Sequence, residues 1–322
     1  QTVGYGEDEH CARAAALIRK ACGDDSLAVH FLVGGTQANM TVIAAALRPH
    51  QGVIAAQTGH INGHETGAVE STGHKVLALP QTDGKISASQ VKDLCEAHLH
   101  DASFEHTVQP KMVYISNPTE YGTLYTRKEL EALHEVCRRY GLYLFLDGAR
   151  LGYGLAAADN ELDLPMIAAC CDVFYIGGTK VGALFGEAVV MSNDELKKDF
   201  RYLIKQKGGM LAKGRLLGVQ FEALFEDGLY LEISRHADRL ADKLREAFTQ
   251  AGFPFLVENQ TNQIFPVIPD HILEKLGEKY GFNYRERVDE THSAVRFCTS
   301  WATTEENTDR LITDLKRMAQ AV

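Results

Sequence analysis

The chain has 322 residues, 45% of them hydrophobic, which is too much apolar surface for one simple core and suits a large domain with a smaller one beside it. The formal net charge of −10 argues against a nucleic-acid or anionic-membrane partner, which would need a basic face, and is compatible with a local basic pocket for a small anion. Seven cysteines without a CxxC pair indicate neither a disulfide framework nor a zinc ribbon, and no apolar run approaches the roughly 20 residues that span a bilayer.

Adjacent Cys170 and Cys171 read as buried thiols of a reducing compartment, which points to the cytoplasm. The chain opens on Gln1, inside a polar, Gly-rich stretch, and the expectation is that an N-terminal segment precedes it.

Along the chain, short apolar runs alternate with helical patterns. Strands are predicted at Ala28–Val33, Val53–Ala56, Lys75–Leu79, Met112–Ser116, Tyr143–Leu146, Val173–Ile176 and Ala188–Met191. Helices are predicted between them at Thr36–Leu47, Ser87–His98 and Arg127–Arg139, with Ser87 and Thr126 where N-caps are wanted. Strands separated by helices form βαβ units, so the fold class is α/β with a mostly parallel central sheet flanked by helices. After about Gly214 the texture changes. Long helical patterns at Tyr230–Ala251 and Thr304–Ala321 accompany strand-like runs at Gln263–Val267 and Ala294–Thr299. The expected division is a large domain over 1–214 and a small α+β C-terminal domain over 215–322.

Open parallel sheets bind ligands at the carboxyl ends of their strands, and four features fall there. Gly34-Gly35-Thr36-Gln37-Ala38-Asn39 follows a strand and opens a helix, where backbone N–H groups and the helix dipole suit a phosphate. Taken alone it is an ordinary tight turn. The dinucleotide pattern GxGxxG and the nucleotide pattern GxxxxGK[ST] are both absent. Asp147 ends a strand of Leu and Phe in Leu146-Asp147-Gly148-Ala149-Arg150, a costly place for a carboxylate unless something such as a pyridinium N–H partners it. A turn or capping Asp is the commoner case. Lys180 follows an apolar strand in Gly177-Gly178-Thr179-Lys180, where a sheltered amine has a depressed pKa and can form an imine. Most lysines in loops simply face water; the position of Lys180 one strand end after Asp147 sets it apart. His60 and His64 flank Ile61-Asn62-Gly63, and a flat imidazole can stack on a flat cofactor. A metal pair at that spacing is disfavoured by Gly63 and by the absence of HExxH, so no metal is expected.

A phosphate turn, a stacking His, a ring-nitrogen acid and an imine Lys thus follow one another in order. In that order, and in Gly35-Thr36-Gln37-Ala38-Asn39, His64-Glu65-Thr66-Gly67-Ala68 and Asp147-Gly148-Ala149-Arg150, the chain resembles the threonine aldolase family of pyridoxal-5′-phosphate (PLP) enzymes. Their fold is the aspartate-aminotransferase-like fold type I, and the resemblance runs from Tyr5-Gly6-Glu7-Asp8 to Val295-Arg296-Phe297. It implies PLP as a Schiff base on Lys180, Asp147 at the pyridine nitrogen and His60 stacked on the ring. It also implies Gly35 and Thr36 in the phosphate cup, Thr179 beside it, and Arg150 and Arg296 on the substrate α-carboxylate. Tyr5 matches an active-site tyrosine. The implied reaction cleaves a β-hydroxy-α-amino acid, threonine or allo-threonine, to glycine and an aldehyde. The implied assembly is a homodimer or homotetramer with shared active sites.

The sequence departs from the family pattern in three places. Glu120, in Asn117-Pro118-Thr119-Glu120, stands where many relatives carry a second His, and is a candidate base for the β-hydroxyl. Thr179-Lys180-Val181 replaces the usual Ser-Lys-Gly, and Leu211 replaces an Arg, with Lys213 nearby. Other PLP activities on the same scaffold, β-elimination or amino transfer, remain alternatives. A sugar-nucleotide or metal-binding protein that uses the Gly turns and histidines is an alternative of another class.

Overall fold

Seven strands build the central sheet of the computed structural model, which describes residues 2–319. They are β1 (Ala28–Leu32), β2 (Gln51–Ala56), β3 (Lys75–Leu79), β4 (Gln109–Ser116), β5 (Tyr143–Asp147), β6 (Val173–Gly177) and β7 (Glu187–Met191). Their order across the sheet is β1-β7-β6-β5-β4-β2-β3. Pairs from β3 through β6 are parallel, whereas β7 runs antiparallel to both β6 and β1.

Because side chains alternate along a strand, each central strand feeds two apolar layers. Phe174 and Ile176 join one cluster, with Leu144, Leu146 and Val113. Val173 and Tyr175 join the other, with Phe145, Tyr114 and Val53. Two of the predicted helix starts carry capping boxes: Ser87 with Gln90 and Thr126 with Glu129. All seven strands of the main sheet lie within a few residues of the predicted runs.

The second sheet gathers β8 (Gln263–Ile264), β9 (Val267–Pro269), β10 (Asn283–Arg287) and β11 (His292–Cys298). The run Gln263–Val267, expected as one strand, is split in two. Pro266 has no N–H for a ladder, so β8 pairs with Phe297 and Cys298 while β9 pairs with residues His292 to Ala294. The predicted C-terminal helix is found at Glu305–Ala319; the end of that run, at Gln320 and Ala321, lies outside the described residues. The helix Leu229–Gln250 belongs to both regions. Tyr230 and Ala237 pack into the large core, while Leu244 and Phe248 pack into the core of the small sheet. The two cores therefore divide along this helix, later than the change of texture at Gly214.

Candidate active site

The parallel strands end on a common edge, and β7 begins there because it runs the other way. One cavity at that edge, of about 180 Å³, is lined by Gly34, Gly35, Thr36, His60, Glu120, Asp147, Arg150, Thr179, Lys180 and Glu187. A second, of about 420 Å³, shares His60, Glu120, Arg150 and Lys180 and opens outward to Arg296 and β10. The fold therefore brings together Lys180, Asp147, His60, Glu120, Gly35, Thr36, Thr179, Arg150 and Arg296. Tyr5 is left out. It is half exposed at φ 64°, its carbonyl accepts from Arg201 at 3.3 Å, and it lines a different cavity with His30 and Arg201. Lys213 is exposed and lines neither wall of the site.

Asp147 is 4% exposed. Its Oδ1 accepts from the N–H of Ala149 at 2.9 Å, and its Oδ2 accepts from Asn39 at 3.2 Å and from the Tyr114 hydroxyl. The same Asn39 nitrogen donates to Oε1 of buried Glu65 at 2.8 Å, and that oxygen lies 2.7 Å from Nδ1 of His60. A chain of hydrogen bonds thus joins the imidazole to the strand-end acid. The hydrogen bond that Glu65 accepts from the imidazole raises the His60 pKa above its ordinary value, against the opposing effect of burial.

Burial lowers the Lys180 pKa, and the Arg150 guanidinium beside it adds to that effect, while Asp147 and Glu187 oppose it. An amine held this way is nucleophilic nearer to neutral pH. Glu120 is half-buried, not solvated. Its Oε1 accepts from the His60 N–H at 2.9 Å and from the Ser116 hydroxyl at 2.7 Å, and burial raises its pKa.

Glu187 belongs to the site although the sequence gives it no role. It is 3% exposed, Oε2 accepts from the N–H of Gly178 at 3.1 Å, and burial pushes its pKa up to about 8. The signal for it was a lone carboxylate opening an apolar strand. Glu65 and Asn39 lie inside motifs the sequence singled out, but their bridging role depends on contacts across 26 and 108 residues.

The residues present suit PLP. The helix Gly35–Ala46 starts without a side-chain cap, so its first N–H groups are free where Gly34, Gly35 and Thr36 line the cavity. A Cβ at Gly35 would come 3.0 Å from the Tyr175 hydroxyl, so a larger residue would crowd that cup. A buried acid faces a sheltered lysine across the same space. Among the described residues no group of three or more His, Cys, Asp or Glu could hold a metal ion.

The beta-eliminating lyase family matches residues 2–271. The low specificity L-threonine aldolase of Pseudomonas aeruginosa is 31% identical over 318 residues, which are 97% of this chain and 89% of that protein. The chain belongs to the threonine aldolase family, within the beta-eliminating lyases. Among solved structures, threonine aldolase from Leishmania major superposes with a TM-score of 0.96 at 44% identity, over 99% of this chain and 92% of that one. Aspartate aminotransferase from Thermus thermophilus, at 18% identity and a TM-score of 0.71 over 100% and 84%, shares the fold. Membership of this PLP-dependent family makes the chain a lyase of fold type I. Among the described residues, no helix is long and apolar enough to cross a membrane.

Proposed function

We propose that the chain cleaves L-threonine or L-allo-threonine to glycine and acetaldehyde, with PLP held through Lys180. The observation that carries this reading is the convergence of Lys180, Asp147 and the uncapped helix at Gly35 on one cavity. PLP, when bound, supplies an electron-withdrawing ring that accepts the electrons released as the Cα–Cβ bond breaks.

The chain's own residues do the rest. Gly34, Gly35, Thr36 and Thr179 line the end suited to the phosphate. Asp147 keeps one acceptor position on Oδ1 for a protonated ring nitrogen, and Asn39 and Tyr114 hold the carboxylate in place. His60, fixed by Glu65, would stack on the cofactor ring. Arg150 and Arg296, which line the outer cavity, would hold the substrate α-carboxylate and so orient the substrate. Glu120 receives the β-hydroxyl proton, its raised pKa bringing a carboxylate closer to that task. Tyr5 lies outside its own chain's cavity, which fits a homodimer or homotetramer in which it serves a second copy's site.

Incubating the PLP-loaded protein with L-threonine and identifying the products tests the reading. Glycine with acetaldehyde is expected. An α-keto acid with ammonia would mean elimination, and a keto acid without ammonia would mean amino transfer.

A further inference from the structure

The outer cavity carries more positive charge than one α-carboxylate needs. Arg150, Arg285 and Arg296 all line it, with Glu120 as its one carboxylate among the lining residues. None of the three guanidiniums has a carboxylate within 4.0 Å among the described residues. Arg287, two positions after Arg285 on the same strand, does find one, Asp270 at 2.9 Å. On this strand, the arginine that lines the cavity is the one without a carboxylate.

The backbone brings Arg285 there by an irregularity. Asn283 pairs with Arg296 and Tyr284 with Val295, but the next pair is Glu286 with Ala294, so Arg285 is an extra residue in a β-bulge. Successive residues of an unbroken strand point to opposite faces, yet Asn283, Tyr284 and Arg285 all line the cavity. A bulge re-aims side chains in this way and often does so beside active sites. The Arg285 guanidinium is then held 4.6 Å over the ring of Tyr121, the neighbour of Glu120, and donates no hydrogen bond to a described residue. Arg296 spends Nη1 on Gln263 at 3.1 Å and Nη2 on Asn283 at 3.0 Å, and its buried Nε has no partner. Donors of this kind lining a cavity suit an anion.

We propose that Arg285 forms a subsite for a second carboxylate, so that the preferred substrate is a β-hydroxy-α-amino acid whose side chain ends in a carboxylate. The inference rests on the aldolase reading above. For the shortest such substrate, 3-hydroxyaspartate, the β-hydroxyl proton goes to a base, the Cα–Cβ bond breaks, and Cβ leaves as the aldehyde carbon of glyoxylate. Cα takes up one proton to become glycine. Atoms balance without an added oxidant or reductant.

The test uses the PLP-loaded protein and two readouts. Glycine release from L-threonine and from L-threo- and L-erythro-3-hydroxyaspartate gives kcat/KM for each. Titration calorimetry gives Kd for succinate and for propanoate, which differ by one carboxylate. The expectation is that a 3-hydroxyaspartate isomer exceeds threonine in kcat/KM by about tenfold or more. Arg285→Ala and Arg285→Gln should lower that ratio by about tenfold and remove the preference for succinate over propanoate, while Arg285→Lys restores part of it. Equal losses on threonine and 3-hydroxyaspartate, or a wild type that favours threonine and binds both acids alike, would overturn the proposal. If neither substrate yields glycine while Arg285 still governs succinate binding, the aldolase reading fails and the subsite stands.

Discussion

The inner and outer walls of the cavity are held in opposite ways. The inner wall lies at the edge of the large sheet and carries three carboxyl groups, of Glu120, Asp147 and Glu187, with buried Glu65 behind them, each tied down by N–H or O–H donors from the fold. The outer wall belongs to the small sheet and carries Arg285 and Arg296, whose guanidiniums meet amides and an aromatic ring but no acid. A buried carboxylate network is built before any ligand arrives and suits a cationic ring nitrogen and an amine. Guanidiniums without counter-charges suit an anionic ligand. On the proposed reading, one wall tunes the chemistry and the other selects what enters.

If that division is right, substitutions on the inner wall cost rate and those on the outer wall cost binding. Asp147→Asn should lower kcat by about 10²-fold or more with the circular dichroism spectrum unchanged, since it removes a preorganised charge from the reacting system. A loss of only a few-fold would reduce Asp147 to a turn residue. Glu120→Gln should cut cleavage by about 10²-fold and leave substrate binding in place. A base must be ionised, so wild-type rate should fall as pH drops through the Glu120 pKa, which burial raises above the usual carboxylate range, and the variant should lack that limb. Wild-type cleavage by Glu120→Gln would pass the proton-accepting role to another group.

Arg296→Lys tests the outer wall. It keeps charge and loses the planar fork, so KM should rise by about tenfold while PLP affinity holds. Loss of PLP with unaltered KM would move Arg296 to the phosphate.

Glu187→Gln is the mildest test. Its raised folded pKa means that the unfolded chain releases the proton first. The resulting cost to stability is absent below the ordinary carboxyl range and grows as pH rises towards about 8. The variant should therefore melt higher than wild type at pH 8 and much the same at pH 4. Equal melting curves at both would show that Glu187 is not held protonated.

The sequence shows much of the inner wall and little of the outer one. Lys180, Asp147 and the turn at Gly34-Gly35 stand next to apolar runs that betray buried strands, so their placement at strand ends follows from local pattern. Glu187 sits beside such a run as well. Its burial, however, depends on β7 entering antiparallel between β1 and β6, a matter of sheet order that no local pattern carries. Arg285 lies on an edge strand whose five residues are mostly exposed and lack alternation, and the bulge that aims it depends on pairing with β11. Tyr5 is assigned to the site by resemblance alone, and on its own chain it lies against Arg201 and Lys205.

Lys180 as the amine that holds PLP is open to a direct measurement. Reducing the PLP-loaded protein with borohydride and mapping its peptides by mass spectrometry should place the pyridoxyl group on the peptide containing Lys180, and Lys180→Ala should lose both that label and turnover. Label on Lys205 or Lys213 instead would mean that Lys180 is not the imine-forming amine.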